Sequence, residues 1–287
     1  MKRYAVIDIG SNSVRLMFVA DGKVLYKTLN TTRLGEGIAL RPVLKTEAIA
    51  RTASAVAAFY QKALDEGAQK VYAFATAAVR TAENGVEFVQ KVRALCGLEV
   101  EIVSGEEEAA LGILGALGAQ DGALIDIGGA STELVVQENG KLVYKKSINV
   151  GIVRLKDECG QDEIALRRVA NERVQAFLDA PKTAKFYAIG GTATTLGALA
   201  LGLNEYAPCK ITGAELSVEQ AWALAEKLLK MPTDEIAKLP CVSKGREDVL
   251  AGGAVWLATL MQALGVKAFL LSDSDNLEGY AVKKGLL

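Results

Sequence analysis

The sequence predicts an α/β protein of two related lobes, and three observations support this fold class. One short motif occurs twice, as DIGSNSVRL at residues 8–16 and as DIGGASTEL at residues 126–134. Each copy lies between two apolar runs, which is typical of two strands joined by a tight turn. After each copy, strand-like segments alternate with segments of helical periodicity. We therefore expect each lobe to contain a mixed five-stranded sheet with flanking helices, and the active site to lie in the interlobe cleft.

The first lobe is predicted to follow the order β-β-β-α-β-α-β-α. Apolar residues recur at helical spacing over 46–64, which indicates one long helix with a buried face. The other predicted elements are strands near 4–7, 14–19, 23–27, 70–75 and 99–103, and helices near 85–95 and 105–117.

The second lobe repeats this plan and is enlarged by helical insertions. The Ala-Gly-Gly-Ala stretch at 251–254 predicts a buried helix that uses small residues for close packing. Gly118, Asp121 and Gly122 break the preceding helix, so we predict one domain over 1–120 and a second over 121–287. The other predicted elements are strands near 123–125, 134–136, 141–147, 185–189 and 266–271, and helices near 163–178, 218–229 and 247–264, after 190–191 and from about 277.

Length and composition exclude several classes of protein. A chain of 287 residues is long enough for two cores, and 51% hydrophobic with 23% charged residues is typical of a folded, soluble protein. No apolar run approaches the roughly 18 to 20 residues that span a bilayer, and the charged N-terminus does not resemble an export signal. A net charge of −1 provides no general attraction for nucleic acid. Four scattered cysteines without metal-ligand spacing indicate reduced thiols, so we expect a cytoplasmic protein. Together with the apolar runs and the net charge, this predicts no membrane or nucleic-acid partner.

The chain contains no histidine. This excludes Ser-His-Asp and Cys-His nucleophiles, histidine zinc sites and histidine general bases. If the protein is an enzyme, we expect its general base to be a carboxylate.

Each copy of the motif places an acid at the end of a strand and small residues in the following turn. Glycine allows the backbone to approach a ligand, and successive turn N–H groups can form an anion-binding nest. A carboxylate beside such a nest can hold a divalent cation that also contacts phosphate oxygens. The two turns therefore predict a phosphorylated ligand that is held from both sides.

This arrangement resembles the actin, Hsp70 and sugar-kinase superfamily, whose lobes have the actin-like (ribonuclease H-like) fold. In detail, the chain resembles the exopolyphosphatase and guanosine pentaphosphate phosphohydrolase family, in its short two-domain form without the histidine-dependent helical region of longer members. The resemblance implies release of terminal phosphate from inorganic polyphosphate, guanosine pentaphosphate or both, with Mg²⁺ or another divalent cation, and a homodimer. The matching segments are 8–16, 33–37, 75–80, 104–109, 126–134, 190–192, 272–273 and 278–279.

By this resemblance Glu108 is the catalytic carboxylate, and Glu107 is the neighbour with which it is most easily confused. Consecutive helical residues point about 100° apart, so residues 106–108 do not all face one cleft, and the others would favour the positive end of the helix dipole. Asp126 is expected to assist catalysis and to hold the metal together with Asp8 and Glu133. Turn capping is the alternative for the two aspartates, and a solvated strand end is the alternative for Glu133.

The phosphate is expected to contact three turns and three arginines. For each arginine a surface ion pair is the alternative, and the turn at 190–192 is either a phosphate contact at a helix N-terminus or only a tight strand–helix connection. Ala130 replaces a glycine that is common in the family, which would strain the loop if this position needed a positive φ. The family also often has an arginine where this chain has Ala110. The predicted phosphate-binding set is Gly10, Ser11, Asn12, Ser13, Arg15, Arg33, Arg80, Gly128, Gly129, Ala130, Ser131, Thr132, Gly190, Gly191 and Thr192.

Two other functions are compatible with this pattern. An ATP-dependent kinase or ATPase of the same superfamily would need a roomy adenosine pocket and a base for the substrate hydroxyl. A non-catalytic sensor would bind a guanosine polyphosphate without turnover. The acidic residues at 106–108 favour activation of water, and therefore hydrolysis.

Overall fold

A computed structural model describes residues 2–287 and contains the predicted mixed sheet in the first half of the chain. In this sheet the first three strands are antiparallel neighbours, and the fourth and fifth run parallel to the first. The strands are β1 (Arg3–Ile9), β2 (Ser13–Ala20), β3 (Lys23–Thr31), β4 (Lys70–Ala75) and β5 (Glu101–Ile102). Their order across the sheet is β3-β2-β1-β4-β5.

The second sheet repeats this order and adds one strand. Its strands are β6 (Gly122–Ile127), β7 (Thr132–Glu138), β8 (Lys141–Ile148), β9 (Phe186–Ile189), β10 (Glu215–Ser217) and β11 (Ala268–Leu271). The order is β10-β11-β9-β6-β7-β8, so β6 occupies the position that β1 has in the first sheet. The two-lobe α/β fold class is confirmed, and the second sheet has one strand more than the five we predicted. This extra strand, β10, has only three residues, which is too short for a periodicity signal.

All eight predicted helices are present. The four that the sequence did not indicate have only four to eight residues each, so they show too little periodicity to be recognised. Within residues 2–287, no helix combines the length and apolar character needed to cross a membrane. The helices are α1 (Thr46–Asp65), α2 (Ala77–Thr81), α3 (Gly85–Cys96), α4 (Gly105–Ala116), α5 (Ile152–Cys159), α6 (Glu163–Val174), α7 (Gly190–Ala200), α8 (Pro208–Ile211), α9 (Val218–Lys230), α10 (Thr233–Ile236), α11 (Leu250–Ala263) and α12 (Asn276–Lys283).

Helix α11 is the buried helix that the Ala-Gly-Gly-Ala stretch predicted. Every residue from Leu250 to Met261 is buried. A Cβ atom on Gly253 would lie 2.8 Å from the Thr192 side chain, so the small residues do allow close packing against α7. The lobe boundary at residues 120 and 121 stays a prediction; the second sheet begins at Gly122.

Helices α4 and α12 each pack against the sheet of the other half of the chain. Ala109 and Ile113 of α4 belong to one hydrophobic cluster with Leu124 of the second sheet, whereas Leu277 and Tyr280 of α12 belong to a cluster on the first sheet. The two helices also cross each other closely. At the crossing, glycines remove side chains that would otherwise keep the two backbones apart.

We predict that Gly279→Ala destabilises the protein by roughly 1–3 kcal/mol, because the added Cβ would lie 1.9 Å from the Leu111 carbonyl oxygen. Urea denaturation measures this change. The control is Gly252→Ala in α11, where the nearest atom is the flexible end of Leu166 at 3.3 Å. Alanine there should be neutral or stabilising by up to about 1 kcal/mol through helix propensity. Equal stability of the two variants would show that α4 and α12 can separate freely.

Candidate active site

The two copies of the motif form equivalent turns that line one cavity of about 80 Å³, here named the phosphate cavity. In the first turn the Gly10 N–H donates to the Ser13 carbonyl at 3.0 Å, and in the second the Gly128 N–H donates to the Ser131 carbonyl at 3.0 Å. The turns are packed closely, since a Cβ on Gly129 would lie 2.7 Å from the Ser11 Cβ. The predicted residues at 10–13, 128–131 and 190–192 all line this cavity.

Ala130 lies in this second turn without strain. It is absent from the residues with positive φ, and its methyl group is fully buried in the hydrophobic cluster of the first lobe. The replacement of glycine therefore carries no conformational cost here and adds an apolar contact between the lobes.

The two aspartates of the motif end equivalent strands and face the phosphate cavity with different partners. Asp8 forms an ion pair with Arg15, which also pairs with Asp275 at the start of α12. Asp126 accepts a hydrogen bond of 2.8 Å from the Asn276 amide. Burial, and then the nearby carboxylate of Glu108, raise the pKa of Asp126 to about 7.

The first turn of α4 separates the three neighbouring glutamates. Glu107 caps the helix, since its carboxylate accepts from the Ser104 N–H at 3.0 Å while the Ser104 hydroxyl accepts from the Glu107 N–H. Glu106 is exposed and pairs with Lys145. Glu108 alone of the three lines the phosphate cavity. Its burial raises the pKa of the carboxyl, against the opposing effect of a nearby arginine.

That arginine is Arg80, which binds a carboxylate rather than lining the cavity. Its Nη1 donates to Glu108 at 2.7 Å and to the Val103 carbonyl at 3.0 Å. Arg33 also lies outside the cavity and pairs with Asp248 at 2.8 Å. Of the three predicted arginines, the structure brings only Arg15 to the phosphate cavity.

Thr132 and Glu133 lie behind the cavity wall. The buried Thr132 hydroxyl donates to the Val150 carbonyl at 2.6 Å and accepts from the Trp256 indole at 2.9 Å, which ties β7 to α11. Glu133 accepts from the Ser147 hydroxyl at 2.6 Å. Burial, followed by the charges of other acids, raises the pKa of Glu133 well above its ordinary range.

Arg246 is a cavity residue that the sequence did not indicate. It is buried, and within residues 2–287 its guanidinium makes no hydrogen bond or ion pair. It lies directly against Gly191, where a Cβ would lie 1.9 Å from Nη2 and 2.1 Å from Nη1 of the guanidinium. Burial, followed by the charge of Arg15, lowers the pKa of Arg246 to about 10, so it remains cationic at neutral pH.

Several polar atoms at the cavity are buried without a partner. They are Asp8 Oδ1, the amide nitrogen and oxygen of Asn12, and the Thr192 hydroxyl. Because an unpaired buried polar group costs free energy, such atoms indicate a bound polar ligand. In the part of the chain that the structure describes, no three acidic or cysteine side chains are grouped closely enough to hold one metal ion. The orphaned oxygen of Asp8 and the raised pKa of Asp126 fit a divalent cation that completes its shell with water or phosphate oxygens.

Asn276 and Asp275 were also missed, although a partial signal exists. Asp275 followed by Glu278 forms a capping box at the start of α12. This pattern predicts a helix start, but it does not reveal that the start faces Arg15 and Asp126, residues about 150 to 260 positions away.

Comparisons with known proteins find one family of similar sequences. The model of the Ppx/GppA phosphatase family matches residues 18–286. Exopolyphosphatase 2 of Mycobacterium tuberculosis is 30% identical, over 98% of both chains. A guanosine-5'-triphosphate,3'-diphosphate pyrophosphatase of Pseudoalteromonas translucida is 27% identical, over 99% of this chain and 58% of the relative.

Two solved structures superpose on nearly the whole chain. An exopolyphosphatase-like protein superposes with a TM-score of 0.90 at 28% identity, over 99% of this chain and 98% of that protein. The Aquifex aeolicus member of the Ppx/GppA family superposes with a TM-score of 0.79 at 28% identity, over 99% and 98% of the two chains.

We predict that Asp126→Asn stabilises the protein at pH 8 but not at pH 4, in the presence of EDTA. An acid whose pKa rises on folding, here from 3.8 to about 7, binds its proton more tightly in the folded state. Its contribution to stability is therefore present below about pH 4 and is lost as the pH rises towards 7. Asparagine keeps an acceptor for Asn276 and removes this loss, which amounts to about 1.4 kcal/mol per pKa unit at most. Thermal melting at both pH values measures it.

The control is Asp121→Asn, because the pKa of Asp121 is lowered by the Asn139 and Gly140 N–H groups. This variant should be less stable than the wild type at pH 8 and show a smaller difference at low pH. If Asp126→Asn instead destabilised the protein equally at both pH values, the buried carboxylate would not be unfavourable when ionised.

Proposed function

The chain belongs to the Ppx/GppA phosphatase family, and on that basis we propose that it hydrolyses the terminal phosphoanhydride bond of inorganic polyphosphate or guanosine pentaphosphate. One observation carries the proposal. A buried carboxylate, Glu108, faces a small cavity that is also lined by the two motif turns and the unpaired guanidinium of Arg246. These are the groups needed to activate water beside a bound phosphoryl group.

The cavity supplies several donors for phosphate oxygens. The turn amides at 10–13 and 128–131 approach it from both lobes, and the unpartnered Asn12 amide lies beside them. Arg246 can bind phosphate without first losing a protein partner, and its planar guanidinium suits two oxygens at once. In phosphoryl transfer, positioning and charge stabilisation of this kind provide most of the catalysis.

Glu108 is proposed as the general base that orients and deprotonates the attacking water. Arg80 holds one oxygen of this carboxylate at 2.7 Å, which fixes its orientation. Burial raises the pKa of Glu108 and so increases the basicity of its carboxylate, as suits a base that must accept a proton near neutral pH. Glu107 is already engaged in capping the helix, so it is not the proposed base.

Asp8 and Asp126 are proposed to hold a divalent cation such as Mg²⁺. When bound, the cation would neutralise charge on the phosphate oxygens. Glu133, the third predicted ligand, accepts from the Ser147 hydroxyl behind the cavity wall and is not proposed to bond the cation directly. The cytoplasmic location and the homodimer stay predictions.

The test is phosphate release with Mg²⁺ from short polyphosphate, long polyphosphate, guanosine pentaphosphate and ATP. Release from polyphosphate or guanosine pentaphosphate is the expected result, and the ratio of kcat/KM values identifies the preferred one. Release from ATP alone would indicate an ATPase or kinase. Tight binding of guanosine pentaphosphate with no release from any compound would indicate a sensor.

We predict that Glu108→Gln lowers kcat by about 10²- to 10⁴-fold, because the water loses its base, and changes substrate affinity little. Glutamine still accepts from Arg80, so the local packing should persist. The matched control is Glu107→Gln, which retains a capping side chain. It should keep kcat within about threefold of the wild type by the same reasoning. Similar losses in the two variants would contradict the assignment of the base.

A further inference from the structure

A second cavity, of about 600 Å³, adjoins the phosphate cavity and is here named the outer cavity. The two share Arg15, Gly190, Gly191 and Arg246 in their walls. The phosphate cavity is far smaller, so the part of a substrate that is not transferred needs other space. The outer cavity provides that space next to both shared arginines.

Lys27 is the one basic residue of the outer cavity, within residues 2–287, that is not shared with the phosphate cavity. It lies on β3 between Leu25 and Leu29, which line the same cavity. Its Nζ donates to the Asp273 carbonyl at 2.7 Å and lies 2.6 Å from Asp273 Oδ2 and 2.9 Å from Glu278 Oε1. The side chain thus reaches from the first sheet to the start of α12.

Two carboxylates of the outer cavity share this lysine. Asp273, Asp275 and Glu278 all line the cavity, and Asp275 is already paired with Arg15. Lys27 therefore serves both Asp273 and Glu278. These two carboxylates outnumber the lysine between them, so a phosphate group that entered beside them would be repelled unless it contacted Lys27.

Both carboxylates have another donor when Lys27 moves away. Asp273 Oδ1 accepts from the Tyr206 hydroxyl at 2.6 Å, and Glu278 Oε2 accepts from the Asp275 N–H at 3.0 Å. Neither carboxylate would then be left without a hydrogen bond, which is the costly outcome for a buried group. The four-carbon stem of lysine allows its ammonium to turn towards a new partner.

We propose that Lys27 is a specificity-determining residue, which exchanges Asp273 and Glu278 for phosphate groups in the non-transferred part of the substrate. This inference rests on the proposed function. The shared chemistry is a second phosphate-bearing part, supplied either by the rest of a polyphosphate chain or by the other phosphates of guanosine pentaphosphate. Comparing the two substrates distinguishes these sources.

The test is Lys27→Met, with steady-state kinetics on long polyphosphate and guanosine pentaphosphate and with inhibition by orthophosphate. For the substrate that reaches Lys27, KM should rise about tenfold, the effect of one lost charge-assisted contact, while kcat changes little. The orthophosphate inhibition constant should stay within about twofold, because the released phosphate leaves from the phosphate cavity, whose lining does not include Lys27. Lys27→Arg, which keeps the positive charge, should return KM most of the way to the wild-type value.

Two further variants separate this role from a structural one. Lys23→Met removes the same charge from the same strand at an exposed position outside both cavities, and should leave KM unchanged. Asp273→Asn removes a competitor for Lys27 and should lower KM for the same substrate. A gain in affinity of this kind does not arise from misfolding.

Three results would overturn the proposal. They are an unchanged KM for both substrates in Lys27→Met, an equal weakening of substrates and orthophosphate, or an increased KM in Asp273→Asn. The equal weakening would show that Lys27 only links the two lobes. If the wild type released no phosphate from any substrate, the proposed function would fail. Lys27 would then be tested by calorimetric binding of long polyphosphate to wild type and Lys27→Met in EDTA, where equal affinities reject its role.

Discussion

The site depends on one constraint, the burial of more carboxylates in the cleft than the neighbouring arginines neutralise. The two motif copies meet this constraint differently. The residue paired with Asp8 across the strands is Arg15, whereas the residue paired with Asp126 is Glu133. Asp8 therefore forms an ion pair within its own lobe, while Asp126 has a second acid beside it and only an amide as donor. The duplicated fold thus gives two equivalent backbones whose aspartates have different neighbours across the strands.

The crossing of α4 and α12 determines where these charges lie. Glu108 is in the first turn of α4, and Asn276 opens α12, so the same pair of helices positions the proposed base and the donor to Asp126. The close approach at Gly115 and Gly279 fixes the two helices relative to each other. Because each helix packs on the sheet of the other half, a change in the angle between the lobes would alter both positions together. The site and the interlobe packing are therefore one structural unit.

Local patterns predicted the parts of the molecule that local chemistry determines. The two turns have the same hydrogen bond because both place a small residue after an acid at a strand end, and the long helices have enough periodicity to be recognised. Arg246 and Asn276 lie outside any motif. Their roles come from contacts with Gly191 and Asp126, residues 55 and 150 positions away (246 minus 191; 276 minus 126), which sequence spacing does not encode. Arg80 was found by family resemblance, but its geometry changes its expected role from phosphate contact to partner of Glu108.

The two arginines between the cavities illustrate how burial prepares a site for an anion. Arg15 is already paired with Asp8 and Asp275, so a phosphate group must compete with carboxylates for its guanidinium. Arg246 is removed from water without gaining a partner, and this burial is the main reason that its pKa falls to about 10. An arriving phosphate recovers that free energy, because the pair replaces an uncompensated buried charge. The unfavourable burial of Arg246 in the free protein thus favours it over Arg15 as the proposed phosphate ligand.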